Sequence, residues 1–282
     1  MKKLFILLLL PVVLIACSDS GEFPLIGEDE EIMKALRVKT KKAYLMNSQT
    51  YGEEKKDSIL YSVIHFNDKG NLVEEIVYAT DGLTIDTHKK YYYNDNEQEI
   101  SAIFTYFPNN YRDRKTIVKR EIKYDDKGHQ KVVMLKGTKE NKSISIDCDE
   151  KGNPITRITF NDDNEQIETE KYQYNENNKL QEWETKNSKG ESIRYVYKYK
   201  KRKNIETVSY RNDKIVERIE YEFNPDEQLI KESSYAPDEQ ADYIVSYSYY
   251  DNGLKKDQIE DFPFFRNTVG EIYTTYHYIF HE

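Results

Sequence analysis

The chain has 282 residues with 42 basic and 51 acidic side chains, a formal net charge of −9 and 38% hydrophobic residues. Acidic balance argues against a phosphate-neutralising partner, so nucleic acid is excluded as a ligand class. The two cysteines are Cys17 and Cys148, and Cys17 lies in the leader region, so no disulfide is expected inside the fold.

Met1-Lys2-Lys3 opens the chain, and Leu4 to Ala16 carries no charge. The run is short for a membrane span and has the basic flank of a signal peptide, expected to cover residues 1–16. Its end, Leu14-Ile15-Ala16-Cys17, resembles the bacterial lipobox, which implies cleavage before Cys17 and lipidation there, with the membrane as a partner through that lipid. Loss of the leader leaves 40 basic against 51 acidic residues, a net charge of −11. Residues 17–31 are polar and acidic and read as a tether. Asp19 and Glu22 resemble the acidic residues that follow the cysteine in lipoproteins of the Bacteroides kind displayed at the cell surface, while an ordinary solvated linker explains them equally. The expected location is the outer membrane, lipid-anchored, on its periplasmic or cell-surface face.

The fold is expected to occupy residues 32–282. Ile32 to Leu36 fits a helical turn, Val38 to Tyr44 a first strand, and Ser58 to Phe66 its partner after the polar loop Asn47 to Asp57. From Phe66 to Leu254 a phrase recurs: an aromatic, one or more Asn or Asp, a small turn, then an aliphatic residue. Anchors at Phe66, Tyr93, Tyr124, Tyr174, Tyr199, Phe223 and Tyr250 are spaced by 27, 31, 50, 25, 24 and 27 residues. The interval of 50 hides a unit in which Cys148, four before Gly152, takes the aromatic position, giving eight units.

A period near 26 fits two strands of ~6–8 residues and two short loops, so each unit is a hairpin. A second set of aromatics, Tyr78, Tyr106, Phe160, Tyr210 and Tyr235, follows the anchors and is itself followed by polar turns. Within the runs, Ile193, Tyr195, Tyr197 and Tyr199 alternate with Arg194, Val196 and Lys198; Ile219, Tyr221 and Phe223 alternate with Arg218, Glu220 and Glu222. One face is therefore aromatic and the other charged. The phase slips around Ile155, where a bulge is expected, and Asp251-Asn252-Gly253 reads as a turn two residues shorter than the rest. The expectation is an all-β protein: a single antiparallel meander of about 16 strands, coiled or partly rolled, with Ile272, Tyr276, Tyr278 and Phe280 capping the last edge. Phe262-Pro263-Phe264-Phe265 reads as a plug for an open end.

The anchor phrase resembles the YD repeat of Rhs proteins and teneurins; Tyr172-Gln173-Tyr174-Asn175-Glu176-Asn177-Asn178-Lys179-Leu180 matches it with Asn in place of Asp and Gly. The match runs from about Tyr61 to Leu254. The resemblance implies a spiral β shell that encloses a toxin or displays an adhesive surface. The family's autoproteolytic segment and toxin domain are not seen, and eight units are expected to be too few for closure, so encapsulation is not implied.

Chemistry is sparse. Five histidines lie in unrelated repeats, and His277 and His281 fall ~13 Å apart on a strand, so no metal site is expected. Turn carboxylates such as Asp147, Asp149, Asp162 and Asp163 have backbone reasons to be there; Asn161 to Glu165 lacks the spacing of a calcium loop. Cys148 between Asp147 and Asp149 reads as structural filler. No phosphate loop, serine elbow or zinc-protease motif occurs, and no cofactor is implied. The candidate ligand-binding residues are Tyr172, Tyr174, Tyr195, Tyr197 and Tyr199, flat rings with polar tips, together with the lone Trp183, taken as an exposed contact. The plainer alternative is that the rings are the fold's own core. The function expected is non-catalytic binding of a glycan or protein at the envelope; a glycan hydrolase using turn carboxylates and a lipid carrier with an aromatic trough are the alternatives.

Overall fold

The computed structural model describes residues 30–47, 58–107, 115–137, 141–263 and 271–281. Cys17, Pro108 to Asn110, Phe264 and Phe265 lie outside them. A short helix α1 (Glu30–Ala35) leads into β1 (Val38–Asn47). Eight hairpins follow. They are β2 (Ile59–Phe66) with β3 (Leu72–Tyr78), β4 (Ile85–Tyr93) with β5 (Glu99–Tyr106), β6 (Thr116–Tyr124) with β7 (Gln130–Gly137), and β8 (Asn141–Cys148) with β9 (Pro154–Phe160). The second four are β10 (Gln166–Tyr174) with β11 (Leu180–Asn187), β12 (Ser192–Lys200) with β13 (Lys203–Arg211), β14 (Lys214–Phe223) with β15 (Leu229–Tyr235), and β16 (Ala241–Tyr249) with β17 (Lys255–Asp261). The last strand is β18 (Ile272–Phe280).

Every strand pairs antiparallel with its sequence neighbours, and β18 pairs with β1 from Val38 opposite Phe280 to Asn47 opposite Ile272. The eight expected units are therefore all present, and two flanking strands join them into a closed 18-stranded barrel. This overturns the expectation of an open, coiled ribbon: no last edge remains to be capped, and Tyr276 and Tyr278 lie opposite Ala43 and Lys41. An open meander would carry two rows of unpaired N–H and C=O groups, which closure satisfies. At ~4.8 Å per strand the girth is roughly 86 Å, about 28 Å across if circular, before strand tilt widens it.

The repeated phrase has a repeated structural cause. Asn67, Asn94, Asp125, Asp149 and Asn175 each accept, through Oδ1, the N–H groups two and four residues on. The fourth position of each turn is left-handed: Gly70 at φ 84°, but also Glu97 and Glu227 at 62°. This is a type I turn closed by a left-handed residue, which forces a bulge on the returning strand. The bulges fall at one place in all eight hairpins, immediately after the residue opposite the anchor: Tyr93 faces Glu99, Tyr92 faces Ser101, and Ile100 is left over. Ile155 is left over in the same way between Cys148–Pro154 and Asp147–Thr156, as the phase slip anticipated.

Cys148 does occupy an anchor position. Tyr250, by contrast, is not the anchor of its unit. Tyr249 faces Lys255, and Tyr250 stands where other units carry Asn or Asp, with Gly253 N donating to its carbonyl at 2.9 Å. The turn is thus as long as the others; a tyrosine in the Asn slot shifted the reading by one residue. Only β12–β13 is shorter, a two-residue loop between Lys200 and Lys203.

A ladder of phenol hydrogen bonds ties neighbouring hairpins together. Tyr93 Oη donates to the Leu72 carbonyl (2.7 Å), Tyr124 to Glu99 (2.6 Å), Tyr174 to Pro154 (3.0 Å), Tyr199 to Leu180 (2.8 Å), Tyr249 to Leu229 (2.6 Å) and Tyr278 to Lys255 (2.9 Å). Cys148 Sγ points at the Gln130 carbonyl at 3.9 Å in the same place. Each rung joins a hairpin, or the closing strand β18, to the hairpin before it, which is why the aromatic recurs at the hairpin period. Tyr174→Phe keeps the ring and removes one rung, so it is expected to cost about 0.5–1.5 kcal/mol, read as a lower urea midpoint at unchanged m-value.

The two faces are unlike. Registers place Tyr91, Ala102, Phe104, Arg120, Ile122, Val133, Ile144, Ile146, Tyr172, Leu180 and Tyr221 on one continuous face, and all of them are buried. This is the concave, inward face, because side chains converge there and splay apart on the convex one. The outward face carries Asp86, His88 and Lys90 on β4, Lys119, Glu121 and Lys123 on β6, Glu182, Glu184 and Lys186 on β11, and Arg218, Glu220 and Glu222 on β14. The split between anchors and charges is as expected. The second aromatics are not all inward: Tyr210 and Tyr235 lie outside under the guanidinium groups of Arg194 (4.2 Å) and Arg218 (4.5 Å), and Phe160 is also outward.

Candidate functional site

The inward wall of β9 to β12 gathers most of the sequence's candidate residues. Tyr172, Trp183 and Tyr195 sit opposite one another on three adjacent strands. Their rings are nearly parallel, 10° and 12° between planes, with centroids 6.3 and 5.0 Å apart. Trp183 is therefore not an outward contact. It stands in the interior with a tyrosine on either side, and its Nε1 donates to Glu170 Oε2 at 3.2 Å. Tyr172 Oη donates to the same carboxylate oxygen at 2.5 Å, and Arg157 Nη1 lies 3.5 Å from Glu170 Oε1. Burial pushes the Tyr172 phenol up, with Arg157 opposing and Glu170 reinforcing that shift. The group is a donor across the physiological range.

Tyr174 and Tyr199 are rungs of the ladder, and burial raises Tyr199 to about 12. Tyr197 lies inward between Tyr195 and Tyr199, its phenol raised by burial. The five tyrosines and Trp183 thus do come together on one wall. Sequence alternation placed the tyrosines correctly; the missed partners are Glu170 and Arg157, charged residues on alternate sites of strands whose neighbours are aromatic.

A second polar and aromatic cluster, not singled out from sequence, lies on the inward wall of β15 to β18. Tyr247 Oη reaches Glu232 Oε2 (3.2 Å), Tyr243 Oη reaches Glu260 Oε2 (2.9 Å), and Gln258 joins Glu260 to Tyr276 through bonds of 2.8 and 2.9 Å. Lys255 Nζ lies 4.3 Å over the Tyr247 ring, and Lys41 Nζ 4.6 Å over Tyr276. Burial raises the Glu232 carboxyl, against the hydrogen bond from Tyr247 and the charge of Lys255. At the far rim Phe262 packs on Tyr243 with ring centroids 4.9 Å apart, the one described contact made by the Phe262 to Phe265 stretch.

Two further inward charges have ion-pair partners: Glu75 with Lys89 at 2.7 Å, and Glu99 with Arg120 in a fork of 2.9 Å (Nε to Oε1) and 2.6 Å (Nη2 to Oε2). Turn carboxylates are engaged too: Asp125 and Asp149 hold their own turns, and Asp162 Oδ2 accepts the Asn141 N–H at 3.0 Å. His277 faces Tyr44 at 5.2 Å on the outside, while His281 Nε2 lies 3.3 Å from the Phe66 carbonyl at the seam. Among the described residues no three His, Cys, Asp or Glu side chains are placed to share a metal ion. The interior offers phenols, an indole, amides and charged groups, many of them already hydrogen-bonded to one another.

The outward wall is charged. Glu121 is held down to about 2 by hydrogen bonds from Lys119 and Lys136, with nitrogen–oxygen distances of 2.8 and 3.0 Å, and the pair Lys231–Glu222 (2.9 Å) stands on the opposite arc. A single Lys or Arg on the lipid face near the bilayer centre costs ~2–4 kcal/mol, and this wall carries charges on strand after strand.

The fold and its two faces therefore define a class: a closed antiparallel β-barrel of 18 strands with a charged outer wall and a polar, tyrosine-rich interior. A family model described as an uncharacterised protein matches residues 109–231. No curated protein matches the chain. Among solved structures, a porin-like protein from Bacteroides uniformis is 10% identical with a TM-score of 0.47, covering 86% of this chain and 98% of its own. A porin-like protein from Bacteroides vulgatus is 10% identical with a TM-score of 0.39, over 76% of this chain and 99% of its own. The TcdB2-TccC3 structure is 13% identical with a TM-score of 0.31, over 77% of this chain and 14% of its own. These are distant likenesses.

Proposed function

We propose that the chain is a lipid-anchored protein of the bacterial envelope, an outer-membrane lipoprotein held by Cys17, whose barrel stands in water and binds a glycan or protein partner without catalysis. The observation that carries the reading is the division of the two faces: a wall of paired charges outside, phenols, an indole and amides inside. A barrel with that wall is not solvated by lipid, so membrane attachment falls to the leader and Cys17. Interior tyrosines suit a glycan because each offers an apolar ring edge and a hydroxyl tip, and Trp183 reports occupancy.

Two measurements test it. Cys17→Ser is expected to abolish palmitate incorporation and to move the protein out of the detergent phase, whereas a barrel embedded through its wall would stay membrane-bound after the substitution. A glycan array and pull-down with residues 18–282 should return a partner that shifts Trp183 emission; silence in both would refute the binding role.

A further inference from the structure

On the rim that bears the anchor turns, seven of the eight turns carry at least one Asp or Glu, from Asp68 in the first to Asp251 in the last, and none of the seven has a net positive charge. The β12–β13 tip is the exception. Lys198-Tyr199-Lys200-Lys201-Arg202-Lys203 puts five cations in six residues, in a chain whose balance is otherwise strongly negative. It is also the one anchor turn with a two-residue loop, and Lys201 holds φ 57° there, a left-handed position that Gly or Asn adopts at lower cost. Basic residues thus occupy a turn whose backbone favours others.

Lys200, Lys201 and Arg202 are exposed and make no ion pair among the described residues, while Lys203 folds over the Phe223 ring at 5.7 Å. Lys179 of the adjoining turn has its ammonium held below its ordinary value by burial and then by Arg202 and Lys203, the signature of cations crowding one corner.

The same rim is where the chain enters the barrel. In α1, Lys34 lies against Gly70 and Ile32 against Gly253, both in anchor turns, and Lys34 Nζ is 3.6 Å from Glu97 Oε2 of a third. The 13 residues from Cys17 to the start of α1 reach up to ~45 Å when extended, more than the breadth of the barrel. A lipid inserted at Cys17 and the basic tip can therefore meet one membrane together.

We propose that the Lys200–Lys203 tip is a docking surface for the anionic phospholipid headgroups of the membrane that holds the anchor, tilting the barrel onto that corner while the acidic turns stay clear. The proposal rests on the anchored reading for its biology, but not for its test, which uses lipid-free protein. Residues 18–282 should co-sediment with vesicles of phosphatidylcholine and phosphatidylglycerol at 7:3 in low salt, remain in solution with pure phosphatidylcholine, and be released at high salt. Replacing Lys201-Arg202 with Gly-Asn removes two charges and puts glycine at the one loop position with positive φ. It is expected to weaken partition roughly 25-fold, about fivefold per cation, with a thermal midpoint equal or higher. Lys189→Gln on the far rim should change nothing. Absence of phosphatidylglycerol-dependent binding in low salt, equal binding by the Gly-Asn variant, or retention only by an acidic polypeptide resin would each overturn the proposal. None of these outcomes bears on palmitate labelling at Cys17, so the two readings fail separately.

Discussion

Arg120→Met is expected to destabilise the barrel by about 3–5 kcal/mol at neutral pH, among the largest losses of any single inward substitution. Arg120 is 3% exposed, forks onto Glu99, and lies over the rings of Phe104 (5.1 Å) and Tyr91 (5.9 Å). Methionine restores most of the volume, so the loss reports the carboxylate left without its partner. Burial raises the Glu99 carboxyl above its ordinary 4.5, and Arg120 pulls it back through charge and hydrogen bonds. A raised folded pKa means that the group's favourable contribution is complete below the unfolded value and is lost as pH rises through the folded one. Without Arg120 the folded value climbs further. The deficit of the variant relative to the native chain should therefore be greatest at neutral pH and shrink as pH falls toward 4.5 and below. Urea titrations of both proteins at pH 7 and pH 4.5 check this; a deficit independent of pH would assign the loss to packing of the guanidinium stem.

Deletion of residues 18–47 should have the larger effect, loss of the closed barrel altogether. The cut removes α1 and β1 and with them both pairings of β1, to β18 and to β2. Two long edges are uncovered, and the Tyr276 and Tyr278 side of β18 loses Ala43 and Lys41 opposite it. Exposed edges of this length recruit other chains. Size-exclusion chromatography with light scattering should show aggregates or edge-paired oligomers; a monodisperse monomer with native circular dichroism would mean that the eight hairpins hold together without the closing strand.

The outer wall is the more informative feature of the barrel. Strands of seven to ten residues are of a length that tilted membrane strands use, so strand length does not discriminate. Side-chain chemistry does: Lys119, Glu121 and Lys123 occupy successive outward sites of a single strand.

Much of this was legible in residues alone, because it is local. A turn that needs Asn or Asp to cap it, a left-handed fourth position, and an aromatic before them are all written within seven residues, so eight hairpins, the anchor role of Cys148, the bulge at Ile155 and the inward set Ile193, Tyr195, Tyr197 and Tyr199 follow from short-range pattern. The error at Tyr250 arose because two tyrosines stand side by side and only pairing with Lys255 says which is the anchor. Trp183 was misplaced because what buries it, Tyr172 and Tyr195, belongs to other strands. Closure lay furthest from view. It depends on β1 and β18, 225 residues apart from Asn47 to Ile272, arriving in register. No window of sequence records that meeting, whereas the assembled ring does, since only there do the first and last strands satisfy each other's backbone.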